Sequence, residues 1–169
     1  MRDVGFDFYW HDPYTKNLVA RGFEWNSELG NVDLITSFES FEHFVNPLME
    51  LEKMLRISKN IFFSTELLPT PIPLPSDWWY YGVEHGQHVS FYSYKTLQYI
   101  ANQYGLNLYS NGIGLHLLTP IKLNNFKFKR VMKFKKHNLY PSIVKFMKSR
   151  TLEDMFFLRS KLDCKPLTT

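Results

Sequence analysis

The residues of this chain that could do chemistry stand mostly where apolar segments end. Asp12 follows the run FDFYW at residues 6–10 and precedes Pro13. In nucleotide-binding α/β folds an acid at the end of a strand accepts hydrogen bonds from ribose hydroxyls, and a glycine-rich loop lies roughly 20 residues upstream. Here the chain has no such loop ahead of Asp12. The competing role for Asp12 is to cap a turn before the proline. Ser37, Phe38 and Glu39 close a second apolar run, and ligands of open parallel sheets bind beyond the carboxyl ends of strands. A plain strand exit with an exposed glutamate is the alternative there. His43 could take a proton from a hydroxyl acceptor, or fix the loop ahead of Asn46. His85 and His88 have a spacing that metals use, but without a placed third ligand the pair assigns no metal site. Trp78, Trp79, Tyr80 and Tyr81 are consecutive. They could stack on a flat acceptor and exclude water, or patch a sheet edge or a dimer interface.

These residues need elements to position them. Residues 6–10 read as a strand, and residues 14–21 as a short helix with Leu18 and Val19 inward. VDLITSF, residues 32–38, and NIFFSTE, residues 60–66, are short apolar runs of the buried parallel-strand kind. Between them Asn46 suits a helix N-cap and Pro47 the first helical position. Leu48, Leu51 and Leu55 supply an apolar stripe. Strand, helix and strand over this length make a βαβ unit with a parallel sheet. Residues 69–87 differ in kind. Pro69, Pro71, Pro73 and Pro75 alternate and favour an extended path, so the segment reads as a cover over the ligand edge. Ser93 caps a further helix with Leu97, Ile100, Ala101 and Tyr104 on one face and Gly105 as its stop. Asn111-Gly112 joins two strands as a hairpin. A last helix runs over about residues 152–162, with Thr151 and Asp154 resembling a capping box.

The composition bounds the rest. With 169 residues, 44% of them hydrophobic and 17% aromatic, the chain can build one core with large rings in it. Its single cysteine, Cys164, forms no internal disulfide. There is no apolar run of membrane-spanning length and no signal-peptide pattern, so a cytoplasmic location is expected and an integral membrane role is not. Ten of the twenty Lys/Arg lie between Lys122 and Arg150 together with none of the sixteen Asp/Glu, which leaves the rest of the chain six charges negative. Such a tail could serve an anionic partner. Packing of a solvated basic face on an acidic body is the favoured reading, and nucleic acid is not the expected partner.

DLITSFESFEHFVNPLMELEKML, EHGQHVSFYSYKTLQYIANQYGL and FDFYWHDP occur in an order that resembles class I S-adenosylmethionine-dependent methyltransferases. The subgroup resembled acts on small molecules or sugars. The resemblance covers about residues 1–120 and includes the Glu42, His43 and Pro47 signature. It implies an α/β, Rossmann-like methyltransferase fold. Its mainly parallel sheet has its last strand inserted antiparallel, as a C-terminal hairpin. The family's first strand and Gly-x-Gly loop are missing from this sequence, so the chain reads as a methyltransferase domain (residues 1–120) that starts after that strand. A basic, helical extension (residues 121–169) follows. The resemblance implies S-adenosyl-L-methionine as cofactor and S-adenosyl-L-homocysteine as product. It makes Asp12 the ribose-binding acid and sets Ser37, Phe38 and Glu39 against the methionine portion. Trp78, Trp79, Tyr80, His85 and His88 would hold a small-molecule or sugar acceptor, with His43 as base. A homodimer, or a segment ahead of residue 1, would complete the sheet. The rival readings are a non-catalytic remnant that binds a partner through its aromatic loop, and a peripheral module docked on RNA or anionic lipid by its basic tail.

Overall fold

The computed structural model describes residues 1–133 and 145–163. Among these, residues 31–133 form one compact unit, and residues 1–30 with 145–163 form another.

The larger unit is mixed α/β. Its four strands are β1 (Ile35–Ser37), β2 (Ile61–Ser64), β3 (Asn107–Ser110) and β4 (Leu115–Thr119), in the order β1-β2-β4-β3. β1 and β2 are parallel, with Ile35 opposite Ile61 and Ser37 opposite Phe63. β4, last in sequence, lies between β2 and β3 and is antiparallel to both. Helix α1 (Pro47–Ile57) crosses from β1 to β2 as the βαβ reading expects. Helix α2 (Tyr94–Gln103) leads into β3.

The local chemistry explains these bounds. Pro47 opens α1, because its missing N–H is an orphan in the first turn in any case. The Asn46 side chain makes no cap bond. Leu51 (2% exposed) and Leu55 face the core, whereas Leu48 is 44% exposed, so the inward stripe is shorter than the three leucines suggest. Ser93 Oγ accepts the Thr96 N–H at 3.1 Å and caps α2. That helix ends at Gly105, whose φ of +65° turns the chain so that Leu106 N–H reaches Ala101 O at 2.8 Å. Leu51, Leu55, Leu97 and Ala101 from the helices close over Ile61, Phe63, Leu108 and Leu118 of the sheet. The hairpin turn is longer than two residues: residues 111–114 form it around the Asn111 side chain. Asn111 Oδ1 accepts the N–H groups of Ile113, Gly114 and Leu115 at 2.9–3.1 Å. Helix α3 (Asn125–Lys133), expected as the start of a basic extension, belongs to this unit and lays Phe128 against Tyr109.

The smaller unit departs further from expectation. Residues 6–10 do not form a strand: Trp10 alone bridges to Glu24. The carbonyl of Phe8, which a strand partner would have taken, accepts from the Arg2 guanidinium at 3.1 Å. Residues 14–21 are bends and irregular chain rather than a helix, with Leu18 and Val19 exposed. Polar side chains dictate that path. Asp12 caps the Tyr14 N–H, and Asn17 holds Ala20 N–H at 2.8 Å and Glu24 at 2.8 Å. Helix α4 (Thr151–Asp163) forms as expected, but Asp154 does not close a capping box. Its carboxylate takes a bidentate bond from Arg2, at 2.7 and 2.8 Å. A bidentate guanidinium bond is stronger than a neutral backbone cap.

Candidate functional site

The carboxyl ends of β1 and β2 carry the chemistry-bearing residues of the larger unit. Ser64 ends β2, and its hydroxyl accepts the Glu39 N–H at 2.8 Å while donating to Glu39 Oε1 at 2.5 Å. This reciprocal pair holds Glu39 at φ +49°, among the described residues the only positive φ outside glycine. Such a conformation costs about 1 kcal/mol for a side chain with a Cβ and persists because its surroundings impose it. Phe38, before it, is half exposed and stands edge-on to Phe62 at 5.5 Å. Ser37 is half-buried at the end of β1.

A 3-10 turn, Phe41–His43, follows. Phe41 anchors it by stacking on Phe63 at 4.0 Å, and the Tyr92 hydroxyl donates to Phe41 O at 2.9 Å. The anchored turn drives Glu42 inward to 0% exposure. Both oxygens of that carboxylate lack a hydrogen-bond partner. Its backbone carbonyl accepts the N–H groups of Val89 and Ser90 at 2.8 and 3.0 Å, which ties the turn to the far end of the long loop. The Tyr80 and Tyr92 hydroxyls are both pushed up to about 12, first by burial, with the charge of Glu42 adding to it. Tyr80 Oη and Thr65 Oγ1 lie 3.2 Å apart, and either hydroxyl can donate to the other.

The two histidines beside Glu42 are held alike. His43 Nδ1 lies 2.9 Å from Gln87 O, and His88 Nδ1 lies 2.6 Å from Tyr80 O. A carbonyl only accepts, so each Nδ1 carries a hydrogen, and in the neutral ring Nε2 keeps its lone pair. The rings meet edge to face at 5.0 Å. One ligand atom from each of Glu42, His43 and His88 lies within 4.8 Å of the others. His43 is exposed and His88 half-buried, so the cluster is closed at the carboxylate and open at His43. His85 stands apart as an exposed turn residue. His88 is therefore brought to His43 rather than to the histidine three residues before it.

The loop between β2 and α2 is closed at its base, where Leu68 N–H bonds Tyr92 O at 2.8 Å. Its rings do not all present free faces, which corrects the expectation for Trp78 and Tyr80. Trp78 is buried against Tyr80, Tyr81 and Phe91, and Tyr80 is 1% exposed. Four large rings in one short loop bury one another before any acceptor arrives. Trp79, 74% exposed, is the ring left open.

Asp12 lies in the smaller unit. Its two oxygens accept from Tyr14 N–H at 2.8 Å and from Thr15 Oγ1 at 2.6 Å, which holds its carboxyl below the usual carboxylate range. Each oxygen keeps further lone pairs for a ligand. The sequence reading missed the burial of Glu42 and the support given by Ser64, Tyr92 and Thr65. A glutamate between Phe41 and Phe44 was the available signal, since flanking rings that pack inward drag their neighbour with them.

The sequence model of the methyltransferase domain family matches residues 1–111. The chain belongs to that family. No curated protein and no solved structure matches the chain. A methyltransferase of this family is a transferase, and its mixed α/β sheet with two parallel strands followed by an antiparallel hairpin agrees with that membership. Among the described residues, no helix of this methyltransferase is long and apolar enough to cross a membrane. A surface groove lined by Glu52, Arg56, Lys59 and Pro120 lies at the amino ends of β2 and β3, away from the residues above.

Proposed function

We propose that this methyltransferase has a Rossmann-like fold and moves a methyl group from S-adenosyl-L-methionine to a small-molecule or sugar acceptor. The observation that carries the reading is the order β1-β2-β4-β3, with its last strand inserted antiparallel and its reactive side chains gathered where β1 and β2 end. When bound, S-adenosylmethionine supplies a methyl carbon made electrophilic by the adjoining sulfonium. The residues offered to it suit its parts. Phe38 provides an open apolar surface, and Ser37 and Glu39 provide polar groups at a fixed strand exit.

The work left to the chain is positioning and proton removal, because a sulfonium leaves without acid assistance. His43 is the base in this reading: its Nε2 carries the lone pair and its ring is exposed. Trp79 and His88 hold the acceptor, with Trp78 and Tyr80 supporting them from inside the loop. Titration calorimetry with S-adenosylhomocysteine tests the reading. We expect saturable binding, weakened roughly tenfold by Phe38→Ala, the loss expected when about half of a ring's apolar burial is removed. No heat of binding up to about 1 mM, the affinity of the weakest specific ligands, would overturn it and favour a partner-binding module.

A further inference from the structure

We infer that Glu42, His43 and His88 form a binding site for a first-row divalent transition-metal ion. The inference does not rest on methyl transfer and stands for this chain whatever its reaction.

The starting observation is the Glu42 carboxylate, fully buried and without a hydrogen-bond partner for either oxygen. A buried carboxylate in that state is costly unless a charge or a set of donors meets it, and buried charges are paired or coordinate metals. The two neighbouring hydroxyls have other partners, Tyr80 with Thr65 and Tyr92 with the Phe41 carbonyl. The side chains that do approach it offer lone pairs. His43 and His88 each donate Nδ1–H to a backbone carbonyl. That second bond is the one by which metal-binding histidines have their tautomer and ring orientation fixed. Carboxylate and imidazole atoms already within 4.8 Å of one another come to metal distances, about 2.0–2.2 Å from a shared ion, by small side-chain rotations.

Two imidazoles and one carboxylate select the ion. Imidazole suits zinc, iron, cobalt, nickel and copper, whereas magnesium and calcium take oxygen ligands. Three protein ligands with one open side leave a position for water or an oxygen of a bound molecule. The open side here is at exposed His43. The ion would join two segments far apart in sequence, the Phe41–His43 turn and the end of the aromatic loop at His88. It would also occupy the His43 lone pair on which a general base depends, so the two assignments exclude each other at that nitrogen.

The test uses the full chain, stripped with a chelator and then titrated with zinc(II), and separately with cobalt(II), whose visible bands report the ligand set. The expected result is about one equivalent bound with a rise in melting temperature, since an ion that binds only the folded chain stabilises it. Loss of one side chain bonded to the ion should weaken binding by more than about tenfold, the least that removing a merely supporting partner costs. His43→Ala and Glu42→Gln are expected to show that loss, and His85→Ala to leave affinity unchanged. His43 is exposed, so its variant keeps the test informative if Glu42→Gln does not fold. Absence of zinc and cobalt binding, or binding that His43→Ala and His88→Ala leave unaltered, would overturn the inference. Magnesium bound in preference to zinc would do so as well.

Discussion

His116 is fully buried and makes two bonds in the folded chain, Nε2–H to Thr65 O at 3.0 Å and Nδ1 to Ser110 Oγ at 2.9 Å. Burial lowers its pKa below the usual histidine value, and the bond to the Thr65 carbonyl only partly opposes this. The unfolded chain therefore takes up a proton near pH ~6.5 that the folded chain refuses until a lower pH. The stability from neutral His116 is fully present above that pH and is lost as pH falls below it, by up to about 1.4 kcal/mol per unit. Urea unfolding at about pH 7.5 and about pH 5.5 should show a steeper acid loss for the native sequence than for His116→Gln. Equal slopes would place the proton elsewhere. Ser64 gives a second handle at this scale. Its hydroxyl both holds the Glu39 N–H and meets the Glu39 carboxylate. Ser64→Ala should cost about 1–3 kcal/mol, the usual loss when a partly buried donor is left unpaired.

Helix α1 offers a direct comparison of its two faces. Leu51 is 2% exposed and Leu48 is 44% exposed. Leu51→Ala should cost about 2–5 kcal/mol of stability, as core leucine truncations do. Leu48→Ala should cost no more than about 1 kcal/mol, close to the range of surface changes. Comparable losses in denaturant melts would mean that the helix turns another face to the sheet. The same helix shows what the sequence makes legible. Pro47, Leu51 and Leu55 mark its start and its buried face, and Ser93, Leu97 and Gly105 do so for α2, because caps and apolar spacing act within a few residues. Residues 6–10 and 14–21 misled for the opposite reason. Their apolar pattern suggested regular elements, while the outcome depended on Arg2, Asp12 and Asn17, whose partners lie outside any periodic pattern. The candidate site was half legible. His43 and His88 could be named from their type, but their meeting with a buried Glu42 depends on how a loop closes between Leu68 and Tyr92.

Among the described residues, the strand order leaves β1 at a sheet edge, paired with β2 alone. Ile35 N–H bonds Asn60 O on the β2 side, so strand alternation turns Thr36 N–H the other way. An unpaired edge recruits further strands. We expect the chain to self-associate with rising concentration in sedimentation runs, and Thr36→Pro, which deletes the outward donor, to shift it toward monomer. A native chain that stays monomeric throughout would show that the edge is already satisfied. Asn111 reaches further, to how long a molecule lasts. An asparagine followed by glycine is the pair in which the next backbone nitrogen most readily attacks the side-chain carbonyl, expelling ammonia to form a succinimide that water opens to aspartate or isoaspartate. In the folded hairpin that nitrogen, of Gly112, donates to Ser110 Oγ at 2.9 Å, and Asn111 Oδ1 is held by three backbone N–H groups. Ring closure has to wait for the turn to open. The turn is thus a clock that is stopped in the native state and runs when the hairpin unravels, and the isoaspartate in an old preparation records how long its molecules have spent open.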